Sequence, residues 1–197
     1  MTRPKCLKCN TPIARCFCDL VVATETDVEI IIWQHPSETG HAKGTVPLLT
    51  RCLTNSQLII AEALNQADFE QRFGSTGRQL HLLFPEDDKK GANPLPLPSG
   101  KQLSLLVLDG TWRKARKLLY LNPWLTQLPR YPLINPPPSR YSIRKAEKPG
   151  QLSTLEATCA AIAQAEISTK NSQPILDAFE SYLNRLSAPR TESSSDR

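Results

Sequence analysis

The chain has 197 residues, 40% of them apolar and 22% charged, which supports one ordinary domain plus a small appendage and excludes bulk disorder. No apolar run approaches the roughly 18 residues a bilayer-spanning helix needs, and the opening MTRPKCLKCN lacks the apolar stretch of a secretory signal. The expectation is a cytoplasmic protein with no membrane association, whose cysteines stay reduced. Net charge is +5, yet the stretch from Arg113 to Lys148 holds nine Lys and Arg against one acid, Glu147. Such concentration is the footprint of a phosphate-rich partner, or of a solvated basic face.

Residues 1–20 form a cysteine-rich knuckle. After it come apolar runs that read as buried strands: Val28–Trp33, Leu58–Ala61, Leu80–Phe84 and Leu103–Leu108. The polar stretches between them can hold helices, so the pattern predicts an α/β fold with a parallel sheet. Asn93–Gly100 (NPLPLPSG) is a loop, because its alternating prolines remove donors and fix φ. The strongest strand, LSLLVL, leads through Asp109-Gly110 into a helix, TWRKARKLLYL, that Asn122-Pro123 ends. Pro136–Pro138 make a second rigid passage. Ser153–Glu166 reads as a helix opened by a capping box of Ser153 with Glu156. Pro174–Leu186 reads as a terminal helix with Leu176, Phe179, Leu183 and Leu186 along one side. The main domain is thus expected over 21–188, with a frayed tail at 189–197.

The strongest chemical signal is Cys6-x2-Cys9-x6-Cys16-x-Cys18. Four thiolates in so short a span can close a tetrahedral shell, and zinc is the expected occupant. A redox pair or two disulfides are the competing readings, disfavoured by compartment and context. A closed shell leaves no open position, so the zinc would be structural. Lys5, Lys8 and Arg15 give the knuckle a charge suited to RNA. Cys52 and Cys159 sit among apolar neighbours and are expected in the core.

The second signal is Leu108-Asp109-Gly110-Thr111-Trp112, a strand end, a turn and a helix start. Ligands collect at the carboxyl edge of parallel sheets, and first-turn amides there donate to polar or anionic groups. Asp109 would sit in the mouth of the site. Thr111 can be the N-cap. On the helix, Trp112, Ala115, Leu118 and Leu119 are expected to pack on the sheet, while Arg113, Arg116 and Lys117 point elsewhere. Gln34-His35-Pro36 with Glu38 follows the first strand, and His35 is either structural or a substrate contact. Arg140, Tyr141, Arg144 and Lys145 combine cations with a ring, as phosphate contact and base stacking require.

Taken together, these motifs resemble the DTW-domain family, in Asp109-Gly-Thr-Trp112 and the ARK after it, Tyr141-x-x-Arg144, the cysteine spacing, and Ser-Thr-x-Glu-Ala at Ser153–Ala157. The resemblance implies a SPOUT-like α/β fold with a trefoil knot in its C-terminal half, binding S-adenosylmethionine. It further implies transfer of the 3-amino-3-carboxypropyl group to N3 of a tRNA uridine, in the variable loop for bacterial members, with release of methylthioadenosine. Asp109 is then the candidate general base, with stabilisation of the sulfonium as its competing role. Leu108, Asp109, Gly110, Thr111, Trp112, Leu133, Ser153 and Thr154 are the candidate cofactor contacts. Arg113, Arg116, Lys117, Arg140, Tyr141, Arg144, Lys145 and His35 are those for tRNA. Arg144 suits a carboxylate or a phosphate, and Glu156 suits its cap. After the first strand the family's Asn-Thr-Gly or Asn-Thr-Ala is replaced by Lys43-Gly44-Thr45-Val46, so only Thr45 carries over. No obligate protein partner is implied. A SPOUT-type RNA methyltransferase and a non-catalytic zinc-bearing RNA binder are the alternatives.

Overall fold

The computed structural model describes residues 4–41, 44–74, 77–85, 97–139 and 152–187. The four expected strands form within them as β1 (Glu29–Gln34), β2 (Ser56–Ile60), β3 (Gln79–Leu82) and β4 (Leu103–Asp109). They make one sheet in the order β2-β1-β4-β3, every pairing parallel. Parallel strands buried on both faces read as continuous apolar runs rather than alternations; IIIW in β1 and LSLLVL in β4 are such runs.

Among the described residues five α-helices cover the sheet: α1 (Val46–Cys52), α2 (Gln66–Phe73), α3 (Trp112–Leu121), α4 (Thr154–Glu166) and α5 (Gln173–Ser187). On one face Ile30, Ile32, Leu103, Leu105 and Val107 pack with Leu48, Leu49, Leu155, Ile162, Ile175 and Phe179, from α1, α4 and α5. On the other, Ile31, Trp33, Ile59, Leu82 and Leu106 meet Phe69 of α2 and Leu118 of α3. Stacking of Trp33 on Phe69, with Trp124 against both, fills this second layer. Cys52 and Cys159 lie in the first core, as their neighbours in the sequence predict.

Helix boundaries follow local chemistry. Thr111 caps α3 by accepting from the Lys114 amide, and Ser153 and Glu156 make the reciprocal capping box of α4. Asn122 closes α3. Its amide donates to the carbonyls of Leu118 and Glu62, and its oxygen accepts from the Leu64 amide. The stretch Pro129–Tyr131 runs parallel beside Leu82, bonded on both sides of it at 2.9 Å, and covers the β3 edge.

The knuckle is joined to this body rather than appended to it. Phe17 is buried against Tyr182 of α5, with ring centroids 5.5 Å apart. Arg185 of α5 donates to the Cys16 carbonyl and grips Asp19 in a bidentate pair at 2.6 and 2.8 Å. Arg51 of α1 donates to the Lys8 carbonyl.

Candidate functional site

In this strand order the chain builds outward from β1 to β2 on one side and returns through β3 to β4 on the other. The crevice of such a sheet opens at the carboxyl ends of its two central strands, here β1 and β4. Gln34 and Asp109, their last residues, are register partners. The Gln34 amide donates to Asp109 Oδ2 at 2.8 Å, and the Thr154 hydroxyl at the start of α4 donates to Oδ1 at 2.6 Å. Asp109 is 8% exposed, and no lysine or arginine among the described residues pairs with it. Two neutral donors therefore fix a nearly buried carboxylate that no cation among the described residues neutralises. Such a charge is costly unless something complementary arrives.

Gly110 turns the chain from β4 into α3 at φ +153°, and a Cβ there would lie 3.0 Å from Lys114 Cβ. Only glycine satisfies both conditions. Lys114 itself pairs with the buried Glu38 at 2.7 Å. Next to it, Glu62 receives Lys117 at 2.7 Å and faces His35 Nε2 at 2.9 Å. The Lys117 ammonium, above all, holds the Glu62 carboxyl below its usual range. His35 is buried; its Nδ1 accepts from the Ser37 amide, which leaves the proton on Nε2. That proton is poorly aligned with Glu62, so the contact is a close approach rather than a hydrogen bond.

At the knuckle, the four sulfurs of Cys6, Cys9, Cys16 and Cys18 lie within 4.8 Å of one another. Two of the sulfur pairs are 3.8 and 3.9 Å apart. Tetrahedral Zn–S bonds of about 2.3 Å require edges of about 3.8 Å, so the cluster has the size of a metal shell and is too open for a disulfide. Burial works to raise the Cys9 thiol but is outweighed by hydrogen bonds from Thr11 and the amide of Phe17, which bring it to about 6. Burial and the neighbouring thiols push Cys18 up to about 12. Four thiolates so close repel one another unless a cation holds them.

Thus Asp109, Thr154 and Gln34 are brought into direct contact, with Leu108, Gly110, Thr111 and Ser153 as chain neighbours. Leu133 is held farther off: Gln164, about three turns along α4, bonds the Pro132 carbonyl and the Ile134 amide on either side of it. Glu156 bonds Ser139 as well as its cap. Ala115, Leu118 and the half-buried Leu119 pack on the sheet side as expected, but Trp112 is 44% exposed, with its ring against the edge of Phe84. Arg113 and Arg116 are exposed, whereas Lys117 is engaged by Glu62. Thr45 is buried at the N-terminal boundary of α1, where its side chain makes no capping hydrogen bond. Arg140, Tyr141, Arg144 and Lys145 lie outside the described residues. Sequence reasoning missed Gln34 as a partner of Asp109, because only the β1–β4 register joins residues 75 apart. A shallow cavity of about 480 Å³ opens at the far end of α3, between Ala63–Gln66 and Leu121–Trp124, and holds none of the candidate residues.

Comparison with known proteins matches residues 3–187 to the family model described as DTW domain. The chain is 30% identical over 172 residues to tRNA-uridine aminocarboxypropyltransferase 2 of Drosophila melanogaster, covering 83% of this chain and 67% of that protein. It is 30% identical over 176 residues to the Mus musculus protein of the same name, covering 86% and 58%. Similarity to tRNA-uridine aminocarboxypropyltransferase A of Arabidopsis thaliana is 30% over 133 residues, covering 59% and 50%. The chain therefore spans from half to two thirds of the length of these curated relatives. No solved structure matches it. With the family model running from the knuckle to the end of α5, the chain belongs to the DTW-domain family.

Proposed function

We propose that this protein transfers the 3-amino-3-carboxypropyl group of S-adenosylmethionine to N3 of a tRNA uridine, in the variable loop. The observation that carries the reading is Asp109, a nearly buried carboxylate without a cationic partner among the described residues, set at the sheet's carboxyl edge where α3 begins. The names of the relatives supply the reaction class, and the site supplies a group suited to it. S-adenosylmethionine fits the donor set: a carboxylate unpaired among the described residues for its positive charge, half-buried Leu108 beside it, and the α3 first-turn amides ahead of the one Thr111 caps for its carboxylate. When bound, its sulfonium makes the aminocarboxypropyl carbon electrophilic.

The chain's own contribution is orientation and proton removal. Holding uracil N3 against one of three electrophilic carbons is a matter of geometry, worth several kcal/mol when tight. As N3 bonds to that carbon, the carbon–sulfur bond breaks, its electron pair stays on sulfur and methylthioadenosine leaves. The N3 proton passes to Asp109, whose oxygens keep lone pairs beyond those used by Gln34 and Thr154. Thr154 and Gln34 keep the carboxylate facing the crevice.

The four-cysteine cluster is the proposed structural zinc site, with every ligand position filled by sulfur. A SPOUT-type knot in the C-terminal half and a cytoplasmic location belong to the same reading; residues 140–151, in that half, lie outside the described residues. No helix among the described residues is long and apolar enough to cross a membrane. Incubating the purified protein with unmodified tRNA and S-adenosylmethionine, then digesting to nucleosides for mass spectrometry, tests the proposal. An aminocarboxypropyl-uridine is expected. A methylated base would replace the chemistry, and an unmodified tRNA would leave an RNA binder.

A further inference from the structure

Helix α3 exposes an unusual row. It buries only Ala115 and Leu118. Trp112, Arg116 and Tyr120, spaced by four, share one solvent-facing strip, with Arg113 beside them. Trp112 is 44% exposed and Tyr120 83%, so two large rings forgo burial on one face. The lysines of the same helix are spent, Lys114 on Glu38 and Lys117 on Glu62. Arg113 and Arg116 have no carboxylate partner among the described residues. Rings interleaved with unpaired guanidiniums suit bases and phosphates together. Trp, Tyr and Arg are also enriched at protein interfaces, but a helix surface carrying only positive charge beside its rings favours a phosphate-bearing partner.

We propose that Trp112, Arg116 and Tyr120 form a stacking track for an unpaired stretch of RNA that ends at the Asp109 crevice. From Trp112 to Tyr120 the helix rises about 12 Å, the length of roughly three to four nucleotides stacked at about 3.4 Å. At the crevice end Phe84 meets Trp112 edge-on at 5.4 Å and the Arg130 guanidinium lies over Phe84 at 5.2 Å, so the Trp112 ring is braced. The track rests on the tRNA reading above for which RNA is bound, but not for whether the face binds RNA.

Affinity for an unmodified tRNA transcript, measured over a salt series, separates the possibilities. Tyr120 is exposed enough that Tyr120→Ala should fold normally. It should weaken binding roughly 5- to 100-fold with the salt slope unchanged, as loss of a stacked base does. Arg116→Ala should weaken binding and lower the slope by about one. Wild-type affinity in both variants, or no binding by the wild type, overturns the track. So does an oligomer that dissociates in Tyr120→Ala while RNA affinity stays the same, which would make the face a protein interface. If the wild type makes no modified nucleoside yet shows this binding pattern, the track stands and the catalytic reading falls.

Discussion

Asp109 sits at the end of β4, where backbone pairing of the central strands delivers it to the crevice, and Gln34 and Thr154 hold its two oxygens. Among the described residues no cation pairs with it, and that imbalance is what a positively charged donor would relieve. Replacing Asp109 with alanine should lower product formation by about 100-fold or more, the range of a lost general base. tRNA affinity should stay close to wild type in a binding assay, and a parallel loss of both would point to misfolding. The neighbouring Gly110 is fixed by conformation rather than chemistry. Gly110→Ala must carry a Cβ at φ +153° against Lys114 and should cost about 1–3 kcal/mol. Thermal melting reads that loss, and an unchanged melting temperature would contradict the strained turn. Asp109 and its turn are legible in the sequence because a strand end, Asp-Gly and a helix cap occur together. Gln34 is not, since its role depends on a register between distant strands.

The elements divide by how much apolar pattern they carry. The central strands β1 and β4 stand out because both faces are buried, α4 because of its capping box, and α5 because of its apolar spacing. Helix α2 escapes such reading: of its eight residues only Phe69 is buried, and it is marked mainly by the Asn65 cap. Helix α1 is two turns long with Pro47 in its first turn, too short for a period to show. Docking of the knuckle is equally invisible in sequence, because Asp19 and Arg185 are 166 positions apart. That pair has a consequence in acid. Hydrogen bonding by Arg185 holds Asp19 at about 2, below the ordinary 3.8. A depressed carboxylate contributes stability that is complete above the unfolded value and is lost as pH falls through the folded one. Between about pH 4 and 2, wild type should therefore lose more stability than Asp19→Asn does. Denaturant melts of the two proteins across that window check this, and parallel curves would contradict it.

For the molecule as a whole, the knuckle and the α/β body share one core, through Phe17, Tyr182 and the Arg185 grip. A metal holding the four cysteines should then stabilise the entire fold. Protein purified in reducing, chelator-free buffer should contain about one zinc per chain, and stripping it should lower the melting temperature of the whole domain. A metal-free preparation with the same melting temperature would contradict this. The larger frame is a parallel sheet whose central crevice carries an anion, unpaired among the described residues, at one end of a basic, aromatic helix. That layout sets what the molecule does with its donor, and the donor's remains report it. The most direct measurement is the adenosine by-product released when the purified protein, unmodified tRNA and S-adenosylmethionine are combined. Methylthioadenosine, formed in proportion to modified uridine and absent without tRNA, is the predicted result. S-adenosylhomocysteine in its place would show attack at the methyl carbon and contradict the proposed reaction.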